Sequence, residues 1–268
     1  MSAQPAFSAV ARHYDADFTD TAVGRLQRER VWHWLAKNLL GTPAVLELNC
    51  GTGADALWMV QRGCQVLATD ISPEMVRLAN EKIAQAGLSE KASARVCSFA
   101  DIGQLPEDTF DLIFSNFGGL NCVSPSELER LGEVLNAKLK PGGQFIAVVM
   151  GRFCWWETLY FLLKRAPSKA FRRLRPGPVE ARLDADTTVP TWYYSPAVFR
   201  RAFAQFSFNT IQPIGLWLPP SYLDPFFAKR PGLLRTLNML ENNWAPAWLT
   251  SAADHYFIKL VKHKVKSN

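Results

Sequence analysis

Val45-Leu46-Glu47-Leu48-Asn49-Cys50-Gly51-Thr52-Gly53 is an apolar run with an acid near its end, followed at once by a glycine turn. Such a run reads as a buried strand that turns into a helix. Glycines let backbone approach a ligand closely, and the exposed N–H groups of a helix start favour a carboxylate or phosphate. The turn alone leaves the ligand open. Gly51-Thr52-Gly53-Ala54-Asp55-Ala56 also fits the G-x-G-x-x-A form of a dinucleotide-binding turn, with Asp70 near the distance of a ribose contact.

Working outward, short β-rich runs at 44–48, 65–69, 94–98, 112–115 and 144–150 alternate with helical segments at 55–61, 73–86 and 126–139. This alternation predicts an α/β doubly wound sheet. The punctuation agrees, since Ser72 precedes Pro73 at a helix start and Pro141-Gly142-Gly143 stops a helix before the fifth strand. Residues 25–40 predict an amphipathic helix before the sheet. Two long connections interrupt the later chain. One, after Met150, contains FCWWETLYFLLKRAPSKAFRRLR and a Pro-rich loop before a helix at 196–204. A sixth strand is expected at about 208–217, and the second connection leads to a last strand at about 255–261.

Composition bounds the function. With 268 residues, 48% hydrophobic and 20% charged, the chain is long enough for one elaborated domain with a full core. The five cysteines are scattered without a C-x-x-C pair, so neither a disulfide framework nor a metal site is expected. No leader or apolar span is evident, and a cytoplasmic location is expected. Charge is uneven: residues 1–150 carry a net −4 and residues 151–268 a net +10. The basic half suits an anionic substrate, a membrane surface or nucleic acid, or is simply a solvated face.

Further motifs narrow the choice. VLELNCGTG, VLATDISPEMV, VCSFADIGQLP, FDLIFSNFGGLNCV and LKPGGQFIAVV occur in order, and together they resemble the motifs of class I S-adenosylmethionine-dependent methyltransferases over about residues 40–150. The resemblance implies a Rossmann-like, doubly wound seven-stranded sheet whose last strand is antiparallel. Mainly helical insertions after the fifth and sixth strands would cap the active site. It implies one domain over 1–268, with an N-terminal helical cover (1–40), a cofactor-binding core (41–150) and substrate-capping insertions (151–195 and 218–253).

The same resemblance implies a pocket for S-adenosyl-L-methionine, with S-adenosyl-L-homocysteine as product. Glu47, Asn49, Gly51 and Gly53 would hold the methionine end. Asp70 would accept the ribose hydroxyls, Ile71 and Met75 would line the adenosine, and Asp101 and Ile102 would meet adenine. Asn116 and Phe117 would border the sulfonium, and Tyr14 would reach over from the N-terminal cover. Asn49 stands where the family usually has glycine. It is the next most tolerant residue of left-handed backbone, so the turn is expected to survive with a tighter fit.

Both insertions should roof the cofactor at the carboxyl ends of the strands. Trp155, Trp156, Tyr160, Tyr193, Tyr194 and Tyr222 are candidate substrate contacts, pointing to a small hydrophobic or aromatic acceptor, with an anionic group if the neighbouring arginines face it. The competing reading makes the aromatics the insertion's own core. A third lays residues 153–175 on a membrane as an amphipathic helix. His255, opening the last strand beside Asp254, is the first candidate for a general base, with His13 and Glu157 behind it. No metal is called for. RNA, DNA or protein methylation, or noncatalytic binding of the cofactor, are the alternatives. Asn116-Phe117-Gly118-Gly119 lacks the N-P-P-[YF] form of base methylation.

Overall fold

Alternation of short apolar runs with amphipathic segments closes one seven-stranded sheet in a computed structural model that describes residues 4–39, 41–106, 109–183 and 187–263. The strands are β1 (Ala44–Leu48), β2 (Gln65–Asp70), β3 (Ala92–Val96), β4 (Phe110–Ser115), β5 (Leu139–Met150), β6 (Val179–Arg182), β7 (Thr188–Thr191), β8 (Phe206–Ile214) and β9 (His255–Lys262). The helices are α1 (Gln4–Val10), α2 (Ala22–Ala36), α3 (Ala54–Val60), α4 (Pro73–Gln85), α5 (Pro125–Lys138), α6 (Trp155–Leu163), α7 (Pro167–Ala170), α8 (Pro196–Ala202), α9 (Asp224–Phe227) and α10 (Pro231–Asn243).

Sheet order is β3-β2-β1-β4-β5-β9-β8. Neighbours among β1 to β5 are parallel, and β9 runs antiparallel to both β5 and β8. Strand periodicity divides the core in two. Phe145, Ala147 and Val149 of β5 face α5 and α8, while Ile146 and Val148 face the layer of α2, α3 and α4.

Local signals explain the helix starts. Ser72 Oγ accepts from Met75 N at 3.2 Å with Pro73 in the first turn, and Ser124 and Glu127 form a capping box. Several boundaries differ from expectation. β3 begins two residues earlier, at Ala92, and the helix before β5 ends at Lys138, so that Pro141-Gly142-Gly143 lies inside the extended run. β8 stops at Ile214 because Gly215 turns left-handed at φ 71°. The Pro-rich loop contains the hairpin β6–β7, which lies outside the main sheet.

The two insertions pack on each other and on α2. Trp156 of α6 meets Phe227 of α9 edge-on at 5.6 Å between centroids, in a cluster with Val23, Leu218, Leu223 and Leu234. Polar clamps reinforce it. Val23 N donates to Asp224 at 2.7 Å, and the buried Glu241 carboxylate accepts from the N–H groups of Gly215 and Trp217 at 2.9 and 2.7 Å. Among the described residues no helix is long and apolar enough to cross a membrane.

Candidate active site

The turn after β1 is built from left-handed residues: Asn49 at φ 46°, Gly51 at 53° and Gly53 at 80°. Gly53 is required by packing as well, because a Cβ there would lie 2.8 Å from Ala79 Cβ of α4. Below the turn Glu47 is buried, and its Oε2 makes no hydrogen bond to protein. Burial, and then the nearby Asp55 carboxylate, lift the Glu47 pKa well above the usual carboxylate range, against the opposing pull of Arg28. A buried carboxyl oxygen without a partner needs an explanation, and a hydrogen-bond donor on a bound ligand would supply one.

Asp70 ends β2 beside this turn. Its two oxygens accept from Gly51 N and Ser72 N, each at 2.9 Å, so it ties the turn to the end of its own strand. Burial raises its pKa against the N–H groups of Ser72, Gly51 and Ile71. Ile71 follows it, half-buried.

Asn49 does more than tolerate a left-handed φ. Its Nδ2 donates to the Asn116 carbonyl at 2.7 Å and its Oδ1 accepts from Ser115 Oγ at 2.6 Å, pinning the β1 turn to the end of β4. The amide occupies the space beside Gly119, where a Cβ would come within 2.2 Å of Asn49 Cγ. We therefore expect Gly119→Ala to cost about 1–3 kcal/mol through overpacking. Urea unfolding of the Asn49→Gly/Gly119→Ala double variant should recover most of that loss, and an unchanged loss would refute the clash.

A polar hub that the sequence did not disclose lies behind the turn. Asp55, in the first turn of α3, accepts from Arg28 Nη1, from Trp32 Nε1 at 2.6 Å and from Asn116 Nδ2 at 2.9 Å. Arg28 and Trp32 lie four residues apart on α2. That spacing of a cation and an indole on one helix face was the only available signal. Asn116 is thus held by both amide atoms, its Oδ1 accepting from Phe117 N at 3.0 Å. Phe117 adopts φ 33°, and its ring lies between the Arg28 guanidinium, 5.4 Å from the centroid, and the His255 ring, which meets it edge-on at 5.2 Å. Strained backbone of this kind gathers at functional sites.

The N-terminal segment packs on the turn. The half-buried Tyr14 ring is the nearest group to Gly51, 3.6 Å from where a Cβ would stand, and burial raises its pKa. Asp15 fastens the segment, accepting from Thr52 Oγ1 at 2.6 Å and from Lys82 Nζ. Met75 is buried beneath this cover with Val10 and Ala11. His13 is exposed. On the other side Asp101 is exposed and accepts from Ser98 Oγ and from Gln104 Nε2 at 3.2 Å, while Ile102 is fully buried.

His255 opens β9 opposite Met150 and Ile214, on the face where the parallel strands end. Its Nδ1 lies 3.3 Å from Asp254 Oδ2. Arg173 donates to Asp254 Oδ1 at 2.6 Å and to Glu157 Oε2 at 3.0 Å, and Arg172 donates to both Glu157 oxygens at 2.8 and 3.0 Å. Burial alone would raise Asp254, but His255 and Arg173 hold it well below the usual carboxylate range. Glu157 is likewise held low by the two arginines against its burial. A carboxylate so occupied is a poor proton acceptor, which makes Glu157 an anchor for Arg173, while His255 is itself largely buried.

The six candidate substrate aromatics divide. Trp155 Nε1 donates to the Leu216 carbonyl and Trp156 Nε1 to the Trp217 carbonyl at 3.1 Å, so both indoles join the insertions to each other. Tyr160 packs in the same cluster and lies 6.1 Å from Tyr222 between centroids. Tyr194 belongs to the core under the sheet, its hydroxyl donating to the Val123 carbonyl, and the Arg173 guanidinium stacks on Tyr193 at 4.9 Å. A cleft of about 420 Å³ bordered by Thr42, Asp111 and Lys140 lies at the opposite, amino ends of the strands, away from these groups.

An orphaned buried carboxylate at Glu47, open left-handed backbone at Gly51 and an acid ending β2 suit a ligand with an ammonium, a carboxylate and a ribose. Fold and site therefore define an S-adenosylmethionine-binding sheet of the methyltransferase kind. Residues 45–143 match the family described as a methyltransferase domain. The chain is 30% identical over 175 residues to a ubiquinone/menaquinone biosynthesis C-methyltransferase of Geotalea daltonii, covering 61% of this chain and 71% of that one. It is 35% identical over 109 residues to a ribosomal protein L11 methyltransferase of Pelobacter propionicus, covering 40% of this chain but only 32% of the relative's length. A solved S-adenosylmethionine-dependent methyltransferase of Methanosarcina mazei shares the fold with a TM-score of 0.60 at 18% identity, over 86% of this chain and 97% of that one. The chain belongs to the class I S-adenosylmethionine-dependent methyltransferases.

Proposed function

We propose that this chain transfers a methyl group from S-adenosylmethionine to a small acceptor that is hydrophobic or aromatic, and that His255 removes the acceptor's proton. The observation that carries the reading is the Asp254–His255 pair standing against Phe117, across from the glycine turn. The bound cofactor supplies a methyl made electrophilic by its sulfonium. Glu47 would hold its ammonium, the N–H groups of the turn through Gly51 and Gly53 its carboxylate, Asp70 its ribose and Asp101 with Ile102 its adenine. Tyr14 would close over it, with Met75 and Ile71 lining the pocket and Asn116 and Phe117 bordering the reacting end. The protein's remaining work is alignment, exclusion of water and proton removal.

Support for a small acceptor comes from the cover over the strand ends, made by both insertions and the N-terminal segment, and from the similarity to a quinone-pathway methyltransferase. Tyr193 and Tyr222 are the roof aromatics proposed to meet it. Calorimetric titration with S-adenosylmethionine and S-adenosylhomocysteine, with NADH as control, tests the cofactor site. Saturable binding is expected, weakened about tenfold or more in both Asp101→Ala and Glu47→Gln, since each removes a hydrogen bond involving a charged group. Asp101 is the cleaner probe, because Asp70→Ala would also release the turn. Absence of binding to either sulfur ligand would overturn the reading.

A further inference from the structure

The outer surface around α6, α9 and α10 combines apolar tips with one sign of charge. On α6, Leu159, Leu162 and Leu163 follow an i, i+3, i+4 pattern on the side away from the insertion core, exposed by 44%, 45% and 75%. The second insertion contributes Phe226 and Leu233, exposed by 50% and 44%. The two insertions that carry these groups pack on each other, Trp156 of α6 against Phe227 of α9 and Tyr160 in one cluster with Leu234. Each of the five exposed residues keeps more than two-fifths of its surface exposed, with the Arg230 guanidinium 3.8 Å from the centroid of the Phe226 ring.

Within residues 155–175 and 224–243 every exposed charge is positive, whereas Glu180 on β6 is an exposed carboxylate outside those stretches. Lys164, Arg165, Lys169 and Arg175 are exposed on the first insertion, and Lys229, Arg230 and Arg235 on the second. Carboxylates in the same stretches are withdrawn: Glu157 and Glu241 are buried, and Asp224 is taken up by Val23 N. A phosphodiester backbone would match the cations but not the leucines, and a second copy meeting this face with its own would bring the same positive charge. Lipid headgroups with acyl chains below them match both. Trp244 and Trp248, exposed by 68% and 80%, are of the residue type that prefers the headgroup layer.

From this combination we infer that the paired insertions are a docking surface for an anionic phospholipid bilayer, with α6 and α9 facing the membrane. The surface is independent of the acceptor's identity, since it uses neither His255 nor the cofactor site. The test is flotation of the full chain, without cofactor, on vesicles of phosphatidylcholine alone and on an equal mixture of phosphatidylcholine and phosphatidylglycerol. Binding is expected on the mixture only, weakening as salt is raised. Lys229→Gln and Arg235→Gln should each weaken it about fivefold, the effect of one cation near such a surface. Leu163→Glu/Phe226→Glu, at exposed positions that leave the fold intact, should abolish it while S-adenosylhomocysteine binding by calorimetry is retained. No flotation, equal flotation on both vesicles, or undiminished binding by the double variant would overturn the inference. So would a dimer that the double variant dissolves, or retardation of RNA, in either case without lipid binding. None of those results would touch the cofactor reading, which calorimetry judges separately.

Discussion

Replacing Arg173 with methionine should lower stability by about 3–5 kcal/mol in urea unfolding at neutral pH, the usual cost of removing one partner from a buried ion pair. The guanidinium is 5% exposed and serves two carboxylates and the carbonyl of Asp254, at 3.0 Å. Methionine fills much of the volume but leaves Asp254 with His255 alone and Glu157 with Arg172 alone. The pH dependence separates this cause from lost packing. Both acids are held below their unfolded values, so their stabilisation is complete above the ordinary carboxylate range and is lost as pH falls through the depressed folded values. The gap between wild type and Arg173→Met should therefore narrow on acidification, whereas a packing defect would persist unchanged.

His255→Gln should reduce kcat/KM about 10²–10⁴-fold with any hydroxyl acceptor that the wild type methylates, the usual worth of a positioned general base. Nδ1 lies 3.3 Å from the Asp254 carboxylate but outside hydrogen-bond geometry, and the role requires its N–H to turn to that carboxylate, leaving Nε2 as the acceptor. Asp254→Asn should also be impaired, because an amide at that place can donate to Nδ1 and favour the wrong tautomer. S-adenosylhomocysteine affinity should stay within about twofold in both variants. Full turnover in His255→Gln would leave Asp254 and His255 as a structural pair only.

Much of the sheet could be read from the sequence because its strands obey a strict period of two against apolar layers. Ile146 and Val148 alternate with Phe145 and Val149, and Ser72-Pro73 and Ser124-Pro125 mark helix starts with side chains that can cap. The glycine turn was equally legible, since left-handed backbone restricts residue choice. The roof was not. Trp155, Trp156 and Tyr194 look the same in sequence whether they face a substrate or give their polar hydrogens to carbonyls of Leu216, Trp217 and Val123. The hairpin β6–β7 was hidden because Pro176, Pro178 and Pro190 suggest loop, yet Pro190 sits in a strand of a two-stranded sheet, where one missing N–H is tolerated. Asp55, Arg28 and Trp32 come together only because α2 packs against the start of α3, a contact between elements that no local pattern encodes.

The fit of Asn49 against Gly119 also constrains the order in which this sequence can change. A side chain at 119 is sterically admissible only after the asparagine has gone, and asparagine can enter at 49 only while 119 is still glycine. The two sites are epistatic in one direction at a time. A lineage that acquired Asn49 gained a strut between β1 and β4 and at the same step forfeited mutational freedom at 119, recoverable only by giving up the strut first.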